Sequence, residues 1–400
     1  MAKIAVISDT HFGFAFGTER ENDCYDAAQE AFEKAKDADI ILLPGDIFDS
    51  RVPKPEAWGR AMRILEKPHL EQYRGVSLDK TYGKVHVSPT ALKGIPVVAI
   101  HGTHDRRGKH LLNPVQGLEA GFLVHLHLST IVLDVRGERI AIHGMGGVPE
   151  SYAKEVLDKW DPKPEKGAYN IFVLQQSIEP FIYSPLEPPS LKLEDMPEGF
   201  DLYVCGHVHA SVKTEVHGKP FIIPGSTITT QANKAESKKP KGFFLVSTKE
   251  KIEFVEISSR KVFHEDIEFK GDSKEDARKK ISDALEKITA LKLEKKPIVR
   301  VRLEGYLQKG VLARDIDARS LIENLPIIAT IGDSTRHKDD KRVERKKESV
   351  EETGMKILHD ECRKRMLSLD ERELFDALLD DDPEEAVKNL HIKTKSIPSS

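Results

Sequence analysis

Four short polar clusters carry the residues able to do chemistry in this sequence: Asp9-Thr10-His11, Gly45-Asp46-Ile47-Phe48-Asp49, Gly102-Thr103-His104-Asp105 and Gly206-His207-Val208-His209. Each directly follows an apolar, β-rich run: IAVIS at 4–8, IILLP at 40–44, VVAIH at 97–101 and LYVCG at 202–206. Loops that leave the same edge of a parallel sheet converge, so residues distant in sequence meet there. Aspartates and histidines brought together, with glycines that allow close backbone approach, are what a divalent-metal site needs. Carboxylates supply charge, imidazoles supply nitrogen, and one carboxylate can bridge two ions. A single such cluster is an ordinary turn or cap. Four of them, each after a strand pattern, favour the metal, and GHVH is the most specific.

The elements that must position these clusters follow from periodicity. Further strand patterns occur as IFVL at 171–174 and FIIP at 221–224. Between the first two strands, Tyr25, Ala28, Ala31, Phe32 and Ala35 share one face at helical spacing, as do Trp58, Ala61, Met62 and Leu65 later. TIVLDV and RIAIHG, separated by Arg136-Gly137-Glu138, predict a hairpin, as do FFLVST and KIEFVEI around a charged turn. Residues 1–260 thus read as a mixed α/β sandwich.

Near residue 260 the pattern changes to a strand (Val262 to Phe269), a charged helix (Ser273 to about Leu291) and a strand (Ile298 to Leu303). A helix near Ala313 to Leu325 and a strand over 327–332 complete a second small α/β domain, residues 261–335. Residues 336–400 begin with a charged stretch, Lys338 to Glu352, almost devoid of apolar side chains. Apolar pairs at helical spacing follow, Leu374, Phe375, Leu378 and Leu379 among them, with Ser368 or Asp370 as an N-cap. A short amphipathic pair on a charged tether suits docking to another chain. Packing back on its own domain fits the same pattern.

The 62 Lys and Arg against 66 Asp and Glu leave a formal net charge of -4, so no global basic field attracts a polyanion. No apolar run approaches the roughly 18 residues of a membrane span. The first strand pattern starts at Ile4, leaving no room for a leader and predicting a cytoplasmic, nucleoid-associated protein. Cys24, Cys205 and Cys362 are odd in number and far apart, which argues against both disulfides and a thiolate zinc site.

At the four clusters the chain resembles the calcineurin-like binuclear metallophosphoesterases, whose pattern runs DxH, GDxxD, GNH(D/E), a further His after a strand, and GHxH. HGTHDRR at 101–107, QSIEP at 176–180, PGS at 224–226, the α/β segment after 260 and the tethered tail narrow this. Together they resemble the archaeal double-strand-break repair nucleases of the Mre-eleven family, akin to bacterial SbcD. The resemblance implies a four-layer α/β/β/α sandwich with a smaller α/β capping domain and a C-terminal helical tail. It implies Asp9, His11, Asp46 and His209 as ligands of one manganese ion, with Asp46 bridging to a second that also takes His207. His104 would protonate the leaving oxygen or steady the scissile phosphate. The implied activity is endonuclease and 3′–5′ exonuclease hydrolysis of DNA phosphodiesters by a metal-bound hydroxide.

The chain departs from that pattern in three places. The family Asn of GNH is Thr103, the His after the next central strand is Gln175, and Asp49 stands where close relatives often have His. Thr103 and Gln175 offer only neutral oxygens, so a well-formed first site and a weak or empty second one are predicted. A nuclease-weakened DNA-binding scaffold is therefore the first alternative, and a small-substrate phosphodiesterase the second. For DNA, duplex ends and single strands, the candidate contacts are Arg106, Arg107 and Lys109 beside the site, and a basic run including Lys238, Lys239 and Lys241. The resemblance further implies a homodimer through Trp58 to Leu65 and Leu111 to Phe122. It also implies a Rad-fifty type coiled-coil ATPase partner gripped by Leu374, Phe375, Leu378 and Leu379.

Overall fold

A computed structural model describes residues 1–108, 110–182, 190–232, 234–249, 251–335, 354–359, 362, 372 and 374–375. The apolar runs become strands buried on both faces, which is why they read as continuous rather than alternating. In the strand Lys3–Val6, Ile4 and Val6 enter one core, while Ala5 and the following Ile7 enter another. Ile40 and Leu42 divide from Ile41 and Leu43 in the same way. This two-residue period sorts every central strand between two layers.

The first sheet has six strands in the order Ile252–Glu256, Gly242–Ser247, Lys3–Val6, Ile40–Pro44, Val97–Ile100 and Val124–His125. Its last four strands run parallel. The second sheet has seven, in the order Val212–Val216, Lys219–Ile223, Leu202–Cys205, Tyr169–Leu174, Glu138–Met145, Ser129–Val135 and Val76–Tyr82. Ile4, Val6, Ile40, Val98 and Ile100 face Ile131, Ile142, Ile171, Val204 and Ile222 across the space between the sheets. Helices Asp23–Lys34 and Pro55–Leu65 cover the outer face of the first sheet through Ala28, Ala31, Phe32, Ala61 and Leu65. Helix Ala153–Trp160 covers the second through Ala153 and Leu157. These are the four layers expected.

The first predicted hairpin closes with two residues, Arg136 at φ 53° and Gly137 at φ 86°, and Glu138 already belongs to the returning strand. Two successive positive φ values match the twist of the flanking strands.

A fourth core gathers Phe269, Ile281, Leu285, Val299, Val301 and Leu303. Its sheet is three parallel strands, Val262–Asp272, Ile298–Leu307 and Ile328–Asp333. Helix Lys274–Thr289 starts where Ser273 Oγ accepts from Asp276 N at 3.1 Å. The single helix expected over 313–325 is instead two short ones, Ala313–Ile316 and Ala318–Ile322. Asp317 between them sits at φ 48°, a left-handed residue that ends a helix. Arg260 meets the buried Asp23 carboxylate bidentately at 2.8 and 2.7 Å, and Lys295 pairs with Asp26 at 2.7 Å. Arg300 donates to Ala232 O at 3.0 Å, and Lys234 pairs with Asp266, so the loop after Thr229 is held from this sheet.

The chain forms two compact units, Met1–Arg106 with Leu112–Arg336, and Arg107–Leu111 with His337–Ser400. In the second, residues 354–359 are helical and the Phe375 ring lies against Gly354, where a Cβ would come within 2.6 Å of it. The expected caps Ser368 and Asp370 lie outside the described residues. Leu118 and Leu123, expected at a dimer contact, are wholly buried, and Trp58, Met62 and Phe122 pack on the same core. Leu111 and Leu112, from the same expectation, are exposed.

Candidate metal centre

The strand ends of both sheets meet at one edge. Asp9 and His11 leave Lys3–Val6, Asp46 and Asp49 leave Ile40–Pro44, and His104 leaves Val97–Ile100. Gln175 leaves Tyr169–Leu174, and His207 and His209 leave Leu202–Cys205. Asp9, His11, Asp46 and His207 all have positive φ, at 49°, 46°, 47° and 80°. Such conformations cost energy and concentrate at functional sites. Gly102 and Gly206 permit the crowding. A Cβ at Gly102 would lie 2.2 Å from Asp46 Oδ1, and one at Gly206 would lie 2.1 Å from Pro44 O.

Asp9, His11 and His209 are buried together with ligand atoms within 4.8 Å of one another. His11 Nδ1 donates to Asp49 Oδ1 at 3.2 Å, and His209 Nδ1 lies 2.7 Å from Thr230 Oγ1 and 3.9 Å from a Glu236 oxygen. The two Nε2 atoms lie 3.1 Å apart, and a proton on each Nδ1 leaves both Nε2 lone pairs for an ion. Adjacent ligands on one ion with bonds of about 2.1 Å stand about 3.0 to 3.4 Å apart. Burial, then the nearby Asp46, push the Asp9 carboxyl up to about 7. Burial, then the His11 ring, drive His209 well below the usual imidazole range, keeping it neutral. Two imidazole nitrogens at ligand spacing beside like-charged buried carboxylates are what a cation suits, so this donor set fits a divalent ion.

Asp46, Gln175 and Thr103, expected at a second ion, are hydrogen-bonded to one another. Asp46 Oδ1 accepts from His104 N at 2.8 Å, and Asp46 Oδ2 accepts from Gln175 Nε2 at 2.7 Å. Gln175 Oε1 in turn accepts from Thr103 N at 3.1 Å. The fully buried Gln175 amide thus points its N–H at the carboxylate and its oxygen at the Thr103 backbone N–H. Among the described residues, Asp46 and His207 join no cluster of three His, Cys, Asp or Glu ligand atoms. Asp46 stands close enough to Asp9 for its charge to raise the Asp9 carboxyl. His207 is buried and donates its backbone N–H to Asp9 Oδ1 at 3.1 Å.

His104 is exposed at the mouth, its ring 4.9 Å from that of His11. Its Nδ1 lies 3.1 Å from the Asp49 carbonyl, which can only accept, so Nδ1 carries the proton and Nε2 is left to exchange one. His11, Asp49 and His104 form a second cluster of ligand atoms.

Arg106 and Arg107 are half-buried, Lys238 and Lys239 are exposed, and Lys109 lies outside the described residues. Lys241 is not a groove residue: it is buried and donates to Glu236 Oε1 at 2.8 Å. Leu374 and Phe375 are half-buried, and Leu378 and Leu379 lie outside the described residues.

Several supporting residues escaped sequence reasoning. The buried Asp105 carboxylate accepts from the N–H groups of Ile47, Phe48 and Gly102 at 2.9 to 3.0 Å, tying two of the four loops together. Burial and the adjacent Asp46 push it up to about 6. Its place in GTHD was a usable signal. Ser8, whose hydroxyl bonds Asp9, and Thr230, Glu236 and Lys241 behind His209 carried none.

Residues 2–211 match the calcineurin-like phosphoesterases, and the chain belongs to that family of metal-dependent phosphoesterases. Within it the chain is similar to proteins named DNA double-strand break repair protein Mre11. That of Methanopyrus kandleri is 28% identical over 285 residues, 64% of this chain and 57% of that protein. That of Sulfolobus acidocaldarius is 27% identical over 340 residues, 80% of each chain, and that of Thermoplasma acidophilum 26% over 330 residues, 77% of this chain and 78% of the relative.

Proposed function

We propose that the chain is the nuclease subunit of a DNA double-strand-break repair complex, with residues 1–260 as the nuclease domain and 261–335 as a cap. The observation that carries this reading is the buried Asp9, His11 and His209 cluster with the exposed His104 ring beside that of His11. Its support is the likeness to break-repair proteins over 64 to 80% of the chain. Manganese suits the mixed oxygen and imidazole donors. When bound, such an ion lowers the pKa of an attacking water and neutralises charge on the phosphodiester.

The chain's own groups do the rest. Asp49 fixes the His11 tautomer, and Asp105 holds the loops that carry Asp46 and His104 in register. In its imidazolium form, protonated on both nitrogens, His104 gives the Nε2 proton to the leaving oxygen and keeps the Nδ1 proton on the Asp49 carbonyl. Arg106 and Arg107 stand after His104 in sequence, where phosphate contacts are wanted. Endonuclease and 3′–5′ exonuclease cleavage, binding of duplex ends and single strands, homodimer formation and a nucleoid location belong to the same proposal. So does docking of the 336–400 tail to a Rad-fifty type ATPase.

Cleavage of end-labelled linear duplex and of circular single strands with manganese tests it. Activity in the parent, lost in Asp9→Asn and in His104→Gln, supports the reading; equal cleavage by all three sinks it. The Gln175 to Asp46 bond favours a second reading, a DNA-binding scaffold with one ion and little hydrolysis. A parent that binds DNA without cutting it, and cuts after Gln175→His, selects the scaffold.

A further inference from the structure

One buried ion pair grips both ends of a candidate ligand. Lys241 and Glu236 are 3% and 5% exposed. The Lys241 ammonium has three N–H donors and three acceptors: His209 O at 3.0 Å, Ser226 Oγ at 2.8 Å and Glu236 Oε1 at 2.8 Å. Glu236 Oε1 also accepts from Thr230 N at 3.2 Å, and Oε2 accepts from Gln231 N at 3.1 Å. The pair therefore fixes the His209 carbonyl through lysine, and through glutamate it fixes the residue whose hydroxyl meets His209 Nδ1 at 2.7 Å.

Burying two charges is costly, and well-packed apolar residues often stabilise a fold as well or better. What the pair does here, and an apolar pair cannot, is hold one histidine at two points, its backbone carbonyl directly and its imidazole through Thr230. The carboxylate, 3.9 Å from Nδ1, also favours the proton there and so the lone pair on Nε2.

The geometry points to Lys241 and Glu236, acting through Thr230, as positioning residues that set the orientation and tautomer of His209 for metal binding. The inference rests on the reading of Asp9, His11 and His209 as a metal site. Neither residue touches the reacting atoms. Both come from a loop after the second sheet, well beyond the GHVH cluster in sequence.

The test is manganese(II) affinity of the full chain, by competition with a chelating dye, with low-temperature electron paramagnetic resonance of the bound ion. Thermal unfolding without metal is measured alongside. Glu236→Gln and Thr230→Val each weaken binding about 10- to 100-fold, the range for second-layer partners of metal ligands. Thr230→Ser, which keeps the hydroxyl, restores affinity to within about twofold of the parent. The double variant Glu236→Gln with Thr230→Val loses no more than the larger single loss, because both act on one hydrogen bond. Glu165→Gln, which breaks pairs with Lys80 and Arg139 on another surface, leaves affinity unchanged.

Parental affinity in both single variants, whatever their melting temperatures, overturns the inference, as do losses that multiply. Should Glu236→Gln not fold, the Thr230→Val and Thr230→Ser comparison decides alone: equal affinity in those two refutes it. A parent that binds no manganese overturns the metal reading itself, a result distinct from variants that bind like the parent.

Discussion

Gln175→His probes the departure that most affects the chemistry. The Gln175 amide makes one bond to a carboxylate, Asp46 Oδ2 at 2.7 Å, and one to a backbone N–H, Thr103 at 3.1 Å. A buried hydrogen bond to a charged group contributes about 1.5 to 3 kcal/mol and a neutral one about 0.5 to 1.5 kcal/mol. An imidazole cannot replace both, because it lacks the fork of donor and acceptor that spans them. The variant should lose about 2 to 4 kcal/mol without metal, or on the order of 10 °C in melting temperature. It also frees Asp46 Oδ2 and adds a nitrogen donor beside it. With a second ion at a hundredfold excess over its dissociation constant, binding returns about 2.7 kcal/mol. The expected pattern is a large melting-temperature deficit without manganese that nearly closes with it. Equilibrium dialysis should give one ion for the parent and two for the variant. Two ions of similar affinity on the parent would refute the argument, as would a variant that loses stability yet still binds one.

His104→Gln should lower phosphodiester cleavage by about 10²- to 10⁴-fold while manganese affinity stays within about threefold, measured by steady-state cleavage and dye competition. Asp49→Asn removes the charge behind His11 Nδ1 and should weaken manganese binding by about 10-fold or more, read in the same competition assay. His127 sits near His101 and His125, and burial followed by His125 lowers it to about 4. The unfolded chain takes up that proton first, near 6.5. Its stabilising contribution is therefore complete above about pH 6.5 and is lost as pH falls through about 4. His127→Phe should flatten the acid limb of denaturant unfolding between those values by at most about 3 kcal/mol; an unchanged limb would remove His127 from the account.

The elements that bring the site together were legible because their signals are local. Ile4 to Ile7, Ile40 to Leu43 and Val97 to Ile100 are apolar without a break, and strands buried on both faces leave that pattern. The helix expected from Ser273 starts there for the same reason, since its cap depends on Asp276, three residues away. The break at Asp317 was not legible, because helical spacing continues across it while the backbone does not. Lys241 read as one of a basic run; only its burial beside Glu236 removed it from the surface.

The sequence by itself determined which residue types stand at the strand ends, and so that Asp9, His11, His104, His207 and His209 would share one edge. Tertiary structure alone decided which of them meet. His11 and His209 are 198 residues apart, and the 3.1 Å between their ring nitrogens depends on how the two sheets are packed and staggered. Gln175 shows the same limit: its identity told that an imidazole was missing, whereas the direction of its amide, N–H to Asp46 and oxygen to Thr103, was set by buried groups that each needed a partner.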